Sequence, residues 1–217
     1  MDSISGVGVL DKSVAVVEAV HEAGALSLAE LVERTGLARP TAHRLAAALE
    51  THRLLRRDDD GRWRLGMRLV AWGSAAGAES GLLDAAGPVL VDLRDATGEG
   101  VQLYVRDGAT RVCVASLERQ GGGLRDTVPT GAVLPLDLGS GGKALLGEVS
   151  GGGWAHSVAE REAGVASVSA PVSDPAGRIV GAVSVSGPIE RLSRDPGARH
   201  GDAVVAAARA VEARLGY

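Results

Sequence analysis

Apolar residues at helical spacing predict a first helix close to the start of the chain. We expect this helix from Asp11 to about Ala23, with Asp11 as its N-terminal cap and Gly24 at its end. Its apolar residues lie three or four positions apart: Leu10, Val14, Val17 and Val20.

The second predicted helix is only about two turns long. Ser27 and Glu30 have the spacing of a capping box, and Gly36 stops the helix. Its apolar face consists of Leu28, Leu31 and Val32. A short turn then leads to Arg39 and Pro40, where a third helix can begin because proline is tolerated in a first turn.

The third helix separates an apolar stripe from a face of small and basic residues. The stripe is Ala42, Leu45, Ala46 and Leu49. Two helices joined by a tight turn, with polar side chains near the start of the second, are typical of a helix-turn-helix whose second helix enters the major groove. The predicted base-contacting residues are Arg39, Thr41, His43 and Arg44. A three-helix cluster with solvated arginines is the alternative that this pattern leaves open.

Two short runs around an Asp-Asp-Asp-Gly turn predict a β-hairpin after the third helix. The arms are residues 54–57 and 62–65, and Gly61 supplies the positive φ that such a turn often requires. A hairpin here is the wing of a winged helix-turn-helix. Four arginines are predicted to contact DNA phosphates: Arg56, Arg57, Arg62 and Arg64. Phosphate would repel the acidic tip, residues 58–60, which we expect to stay in solvent.

The formal net charge of −4 would argue against DNA binding if the charges were spread evenly, but they are distributed unevenly along the chain. Residues 34–68 hold nine arginines against Glu50 and three aspartates, so the positive charge is local. Aromatic residues make up 2% of the 217 residues, which argues against modules that stack single-stranded bases. A single cysteine, Cys113, excludes an intrachain disulfide and a cysteine-based zinc site. With no signal peptide or membrane-length apolar run, we expect a soluble cytoplasmic protein.

A stretch rich in Ala, Gly and Ser around Trp72 separates the basic module from the rest of the chain. We predict a winged helix-turn-helix domain over 1–67, a linker helix over 68–81 and an effector-binding domain over 82–217. The helical segment from Leu82 to Leu93 should be interrupted at Gly87-Pro88. Its apolar side chains either form a dimer interface or pack against their own domain, and the sequence leaves both open.

Beyond Gly98, short alternating segments predict strands at 101–105, 112–117, 168–172 and 179–185. Helices are expected near 143–148, 157–162 and 202–215. This mixture predicts an α+β domain in which helices flank an antiparallel sheet, rather than regular βαβ repeats.

Two features of the second domain can hold a small organic acid. Residues 138–143 leave an extended segment and begin a helix, so the backbone N–H groups of this glycine-rich turn can face a carboxylate or phosphate. The candidate residues in the turn are Ser140, Gly141 and Gly142. Those on the sheet share a face by the period of two: Ser184 with Ser186, and Ser167 with Ser169. A plain glycine-rich turn and solvent-facing serines are the alternatives.

The order and spacing of these segments resemble the IclR family of bacterial regulators over nearly the whole chain. The similar segments are 9–13, 36–45, the wing return at 61–66, 139–146, and 170–174 continuing to 183–188. Within that family the chain looks most like a subgroup of high-GC bacteria associated with amino-acid biosynthesis, leucine in particular.

The resemblance implies a winged helix-turn-helix, a dimerising linker helix and a GAF-like effector domain. It also implies homodimers or tetramers on double-stranded operator DNA. By position, the effector pocket would be lined by Ser140, Gly141, Ser167, Ser184 and Ser186.

Two departures from the family pattern concern this pocket. Members that bind small keto acids have an Asp and a Cys where this chain has Ser157 and Ser167, so the effector, an organic acid or amino acid, does not transfer. Only residues 147–153 join Leu146 to Trp154, where the family usually has a longer helical stretch. The segment that would form one wall of the pocket is therefore shorter than in the family.

The sequence thus predicts a transcription regulator, a repressor or activator, rather than an enzyme, with no cofactor, no metal and no membrane partner. The alternative is a small-molecule-binding enzyme with a helical accessory domain. No histidine lies in a recognisable nucleophile motif, and only His156 falls near the predicted pocket.

Overall fold

The structure is a computed structural model that describes residues 7–78, 81–121 and 128–216. The chain divides into two units, Met1–Ala76 and Gly77–Tyr217, and each is described by itself. None of the helices in the described ranges is long and apolar enough to cross a bilayer.

The first unit contains three helices, a short hairpin and the start of a fourth helix. The elements are α1 (Gly8–Ala23), α2 (Leu28–Thr35), α3 (Arg39–Thr51), β1 (Leu55–Arg57), β2 (Trp63–Leu65) and α4 (Met67–Ala78). The core lies between the three helices and the hairpin and is built from Val16, Val20, Leu31, Ala42, Leu45, Ala46, Leu49, Leu55 and Trp63.

The first helix begins earlier than predicted and turns a different face to the core. Its N-cap is Val7, and Asp11 lies within the first turn, where its charge favours the helix dipole instead of capping the end. Leu10 and Val14 are about half exposed. The buried residues are Val16, Ala19 and Val20. The predicted stripe was wrong in its first half, because spacing alone does not tell which apolar face the other helices cover.

The second and third helices form as their capping residues predict. Ser27 N donates to Glu30 Oε2 at 2.7 Å, and Glu30 N donates to Ser27 Oγ at 3.3 Å. Gly36 ends α2 in the left-handed region, and Pro40 occupies the first turn of α3. The predicted stripe of α3 is buried, which confirms the face assignment of this helix.

The hairpin is anchored to the helices through its second strand. β1 and β2 pair antiparallel, with Arg56 opposite Arg64 and Leu55 opposite Leu65. The main chain of Trp63 exchanges two hydrogen bonds with that of Leu26, with N–O distances of 2.7 and 2.9 Å. The hairpin therefore has a fixed position beside the turn between α1 and α2.

Within the described ranges, the second unit is a six-stranded antiparallel sheet with helices on both faces. Its helices are α5 (Leu82–Thr97), α6 (Gly139–Leu145), α7 (Ile189–Leu192) and α8 (Pro196–Arg214). Its strands are β3 (Gly100–Asp107), β4 (Thr110–Leu117), β5 (Val133–Pro135), β6 (Ala155–Val158), β7 (Val165–Ser173) and β8 (Ile179–Pro188), in the order β5-β4-β3-β8-β7-β6. The predicted α+β class is confirmed.

The two faces of the sheet differ in chemistry. Helices α5 and α8 pack on the face that carries apolar side chains of the central strands, including Val101, Leu103, Val168, Val183 and Val185. Because side chains alternate along a strand, the serines between these valines on β7 and β8 point to the opposite face. Helix α6 packs there.

Helix α5 was expected to break at Gly87-Pro88 but runs without interruption. Gly87 and Pro88 are exposed, so the carbonyl that loses its partner can be hydrated. The other face is buried through Leu82, Ala85, Ala86, Val89, Leu90 and Leu93. Burial at roughly 1.5–3 kcal/mol per large apolar side chain exceeds the cost of an internal proline, about 3 kcal/mol. The apolar side chains of α5 thus pack within their own unit.

Other boundaries also differ from the sequence prediction. The helix expected over 157–162 was wrong, since residues 155–158 form strand β6 instead. Helix α6 begins four residues before the predicted 143–148 and ends at Leu145, and α8 begins at Pro196 rather than at 202. Strands β5 and β6 have three and four residues, too few for periodicity to identify them.

Candidate DNA-binding surface and effector site

The first turns of α3 present polar side chains to solvent. Arg39, His43 and Arg44 are exposed, and Thr41 is half-buried. In the part of the chain that the structure describes, these four side chains take part in no ion pair or side-chain hydrogen bond. Their donors and acceptors are therefore available to the edges of base pairs.

The four hairpin arginines differ in how far their guanidinium groups are already bound by other residues. Arg57 lies 4.0 Å above the Trp63 ring and 3.7 Å from Glu50. Arg62 Nη2 donates to Glu30 at 3.0 and 3.1 Å and to the carbonyl of Ala25 at 3.1 Å. Arg64 Nε donates to Asp58 at 2.8 Å. Arg56 is exposed and, among the described residues, has no acidic partner.

The acidic tip of the hairpin is arranged differently from the prediction. Asp59 and Asp60 are exposed, but the Asp58 side chain is only 15% exposed and accepts hydrogen bonds from the backbone N–H groups of Asp60 and Arg62. These bonds, and above all that from Arg64, hold the pKa of Asp58 below its ordinary value. The expectation that all three aspartates stay in solvent was wrong for Asp58, because the turn needs an acceptor for its own N–H groups.

The second unit contains a narrow cavity between α6 and the serine-bearing face of the sheet. It encloses about 360 Å³ including its opening, of which about 20 Å³ admits the centre of a water molecule. The predicted residues that line it are Ser140, Gly141, Ser157, Ser167, Ser184 and Ser186. A ligand of more than a few atoms must displace lining side chains.

Strand register brings the serines together. Ser167 is opposite Ser186, and Ser169 is opposite Ser184, in the β7–β8 pair. Ser140 Oγ lies 2.7 Å from the hydroxyls of both Ser167 and Ser169, and Ser169 Oγ donates to Ser184 at 2.8 Å. The result is a chain of neutral hydroxyls that can both donate to and accept from a polar ligand.

Ser157 extends this chain to the edge strand, with its hydroxyl 3.3 Å from that of Ser167. At the other end Ser186 Oγ donates to Gln102 Oε1 at 3.2 Å. The two serines that replace an Asp and a Cys in the resemblance are therefore neighbours in the cavity.

The glycine-rich turn was predicted to offer free N–H groups to an anion. In the structure, Gly139 N donates to Glu160 Oε2 at 3.2 Å, and the other carboxylate oxygen of Glu160 contacts Lys143 Nζ. Gly142 does not line the cavity, because it packs against the main chain of Leu136. An internal carboxylate thus already uses part of the predicted anion-binding turn.

Arg111 and Tyr104 are lining residues that the sequence reasoning missed, and the others are Val128, Arg161, Glu162 and Val165. Arg111 on β4 is 3% exposed, and its Cζ lies 5.2 Å from the centroid of the Tyr104 ring on β3. Both side chains line the cavity. The signal was present, since a period of two places Arg111 on the same buried face as Cys113. An arginine within a strand is usually interpreted as exposed.

Among the described residues, the lining of the cavity includes no histidine and no cysteine. The side chain of His156 is exposed, and His156 is not among the lining residues. Burial raises the pKa of Cys113 to about 11, so its thiol is protonated at neutral pH. Among the described residues, no cluster of His, Cys, Asp and Glu could hold a metal ion.

Comparison with protein families identifies both ends of the chain. Residues 9–59 match the IclR helix-turn-helix domain, and residues 146–213 match the C-terminal domain of the bacterial transcriptional regulator IclR. Together the two matches span more than half of the 217 residues. The chain belongs to the IclR family.

Curated relatives of this IclR-family chain are transcription regulators rather than enzymes. The transcriptional regulator BhcR of Paracoccus denitrificans is 26% identical over 94% of this chain and 86% of its own length. The transcriptional repressor AllR of Escherichia coli is 24% identical over 97% of this chain and 91% of its own.

Two solved structures of bacterial proteins share the fold over nearly the whole chain. A transcriptional regulator from Rhodococcus sp. aligns with a TM-score of 0.79 at 22% identity, covering 97% of this chain and 98% of its own. An IclR homologue from Microbacterium hydrocarbonoxydans, complexed with 4-hydroxybenzoate, aligns with a TM-score of 0.78 at 21% identity, covering 95% and 98%.

Proposed function

We propose that this IclR-family regulator binds a specific operator through α3 and the hairpin, and that a small metabolite in the serine cavity modulates its operator affinity. The proposal depends on one observation above all: Arg39, His43 and Arg44 are exposed and unpaired on the first turns of a helix that follows a tight turn. That arrangement suits a recognition helix in the major groove.

The hairpin has a narrower role in this proposal than the sequence suggests. Arg56 is the wing arginine best placed to contact phosphate, because it is exposed and has no acidic partner. Arg57 is partly available through its exposed guanidinium. Arg62 and Arg64 chiefly hold the hairpin in position through Glu30 and Asp58.

The effector half of the proposal depends on the cavity lined by Ser140, Gly141, Ser167, Ser184 and Ser186. Hydroxyl groups on a buried sheet face suit a small organic acid or amino acid. The 4-hydroxybenzoate complex of the Microbacterium homologue supports a ligand-binding role for this domain. A ligand changes operator affinity only if it binds more tightly to one state of the protein than to another.

For target genes, we propose amino-acid biosynthesis operons first, following the resemblance to that subgroup. We also propose that the protein acts in the cytoplasm as a homodimer on a two-fold symmetric operator, because a helix-turn-helix protein reads two half-sites in this way. The domain limits that we propose are 1–67, 68–81 and 82–217.

The test is to sequence genomic fragments that the purified protein retains at moderate salt, and then to repeat the selection with amino acids and keto acids present. We expect enrichment of a few fragments that share one motif, and a change in their retention with one class of metabolite. Equal retention of all fragments under every condition would contradict the proposal.

A double variant, Arg39→Ala with Arg44→Ala, is the matched control. Both side chains are exposed and unpaired, so the variant should fold normally while losing the motif from the retained fragments. Retention of the same motif by this variant would remove α3 from the recognition surface.

A further inference from the structure

Arg111 is a buried cation whose hydrogen bonds all lie on one side of its guanidinium. Nη1 donates to the carbonyl of Pro135 at 2.6 Å and also contacts the carbonyl of Leu138. In the described part of the chain, no carboxylate forms an ion pair with this arginine. Its nearest neighbours are carbonyl oxygens and the Tyr104 ring, and the Asp137 carboxylate stabilises its charge without forming an ion pair.

The opposite edge of the guanidinium lacks partners. Nε is fully buried and has no hydrogen-bond acceptor. Nη2 has no acceptor among the described residues and lies beside Gly139, where an added Cβ would be 3.3 Å from it. The same position is 3.8 Å from Ser157 Oγ, so this edge borders the serines of the cavity.

The glycine-rich turn packs closely against the Arg111 side chain. A Cβ at Gly141 would lie 2.9 Å from the Tyr104 ring and 3.5 Å from Arg111 Nε, and one at Gly142 would lie 2.7 Å from Arg111 Nη1. Glycine at these positions therefore makes room for the arginine and the tyrosine. This gives the turn a function other than donating its N–H groups to an anion.

A buried donor without an acceptor carries an unfavourable desolvation cost, and the cost is larger when the donor is charged. Nε and Nη2 form the edge of arginine that meets both oxygens of a carboxylate through parallel hydrogen bonds. We propose that Arg111 is the charge-recognition residue of the cavity and that the effector is a small monocarboxylate. This inference rests on the proposed effector-binding function and names the ligand class and its anchor.

The serines define the rest of the ligand. A carboxylate on Arg111 leaves Ser184 and Ser186 to bond a keto or hydroxyl oxygen elsewhere in the molecule, since both hydroxyls line the same cavity. The small free volume favours a compact acid. No acidic side chain other than Glu162 lines the cavity in the described residues, which disfavours a ligand whose main charge is positive.

The first experiment compares acids with their neutral primary amides on the wild-type protein. The probes are pyruvate, 4-methyl-2-oxopentanoate and 4-hydroxybenzoate, each paired with its amide, and inorganic phosphate serves as a second anion. We expect at least one acid to raise the melting temperature and to bind by calorimetry, with its amide at least about 10-fold weaker. Equal binding of acid and amide, tighter binding of phosphate than of any acid, or no binding by all three acids would each overturn the proposal.

The second experiment uses variants of the arginine. Arg111→Gln should weaken binding of the best acid by roughly 10- to 100-fold, and Arg111→Lys should restore part of the loss because it keeps the charge without the paired donors. Arg106→Gln is the matched control, because Arg106 is the cross-strand neighbour of Arg111 but is exposed. Unchanged acid binding by Arg111→Gln would refute the assignment. If that variant does not fold, the acid–amide comparison on the wild type decides.

Failure of this inference can be told apart from failure of the proposed function. A protein that selects one DNA motif but binds acid and amide equally retains its function and loses only the role of Arg111. A protein that binds the acid through Arg111 but shows no preference for any duplex retains this inference and loses the regulatory function.

Discussion

At the residue scale, Arg44 differs from Arg57, Arg62 and Arg64 of the hairpin because its guanidinium has no partner within the described chain. A guanidinium on the exposed face of α3 can form two parallel hydrogen bonds to a guanine, and such contacts carry sequence information. Phosphate contacts by contrast support binding to any sequence. These two roles can be separated by measurement.

We predict that Arg44→Ala weakens binding to the selected operator by about 1–3 kcal/mol and binding to a scrambled duplex much less. Fluorescence anisotropy on both duplexes at one salt concentration measures the difference. Arg209→Ala, at an exposed position on α8, is the control and should change neither affinity. Equal losses on the two duplexes would reassign Arg44 to a phosphate.

At the element scale, the hairpin combines two uses of arginine. Arg62 and Arg64 are tied to Glu30 and Asp58, so they fix the shape of the element. Arg56 lies opposite Arg64 in the strand pairing, faces solvent and is available to DNA. The sequence shows four similar arginines, and only their partners in the structure separate these roles.

We predict that Arg56→Ala lowers affinity equally for all duplexes and reduces the slope of log K against log salt by about 0.9, the value for one lost phosphate contact. Arg62→Ala should leave that slope nearly unchanged, because its guanidinium is occupied by Glu30 and Ala25. A salt titration of both variants measures the slopes. A larger change for Arg62→Ala than for Arg56→Ala would reverse this assignment.

The capping box at the start of α2 is a second prediction at this scale. Ser27→Ala removes the acceptor for Glu30 N, and we expect it to destabilise the first unit by about 1 kcal/mol, as loss of an N-cap typically does. Urea unfolding followed by circular dichroism measures the change. Ser13→Ala, at a half-buried position of α1 where the hydroxyl donates only to the Val9 carbonyl of the same helix, should be neutral or slightly stabilising. A neutral Ser27→Ala would mean that the box adds no net stability.

At the scale of the whole molecule, α4 is an apolar helix with little to cover it. Met67, Val70 and Trp72 are all more than half exposed, and none of its described side chains is fully buried. A helix of this length gains most of its stability from packing, so an uncovered one is expected to meet a partner. On α1, Leu10 is also about half exposed. A second copy of the chain is the partner that fits the proposed dimer.

We predict that Val70→Glu shifts the protein towards monomers and weakens operator binding, because two half-sites are then no longer held together. Light scattering coupled to gel filtration measures the mass across a dilution series. Val133→Glu alters a residue of similar exposure, 62% against 58%, on strand β5 and is the control. An unchanged mass for Val70→Glu would exclude α4 from the association surface.

The sequence determined the local elements of this protein because their signals are local. Capping residues, glycines and a buried stripe define α2, α3 and the hairpin within a few neighbouring positions, and the period of two places the serines on one face of the sheet. The resemblance to the IclR family is likewise carried by short segments of the sequence.

Only the tertiary structure decided which surfaces are covered and which charges are paired. It continued α5 past its proline, left Leu10 and Val14 in solvent, and turned Asp58 inward. It also brought Arg111 from β4 beneath a turn 28 residues further along the chain, at Gly139. Such outcomes depend on contacts between distant segments, whose free energies exceed local preferences.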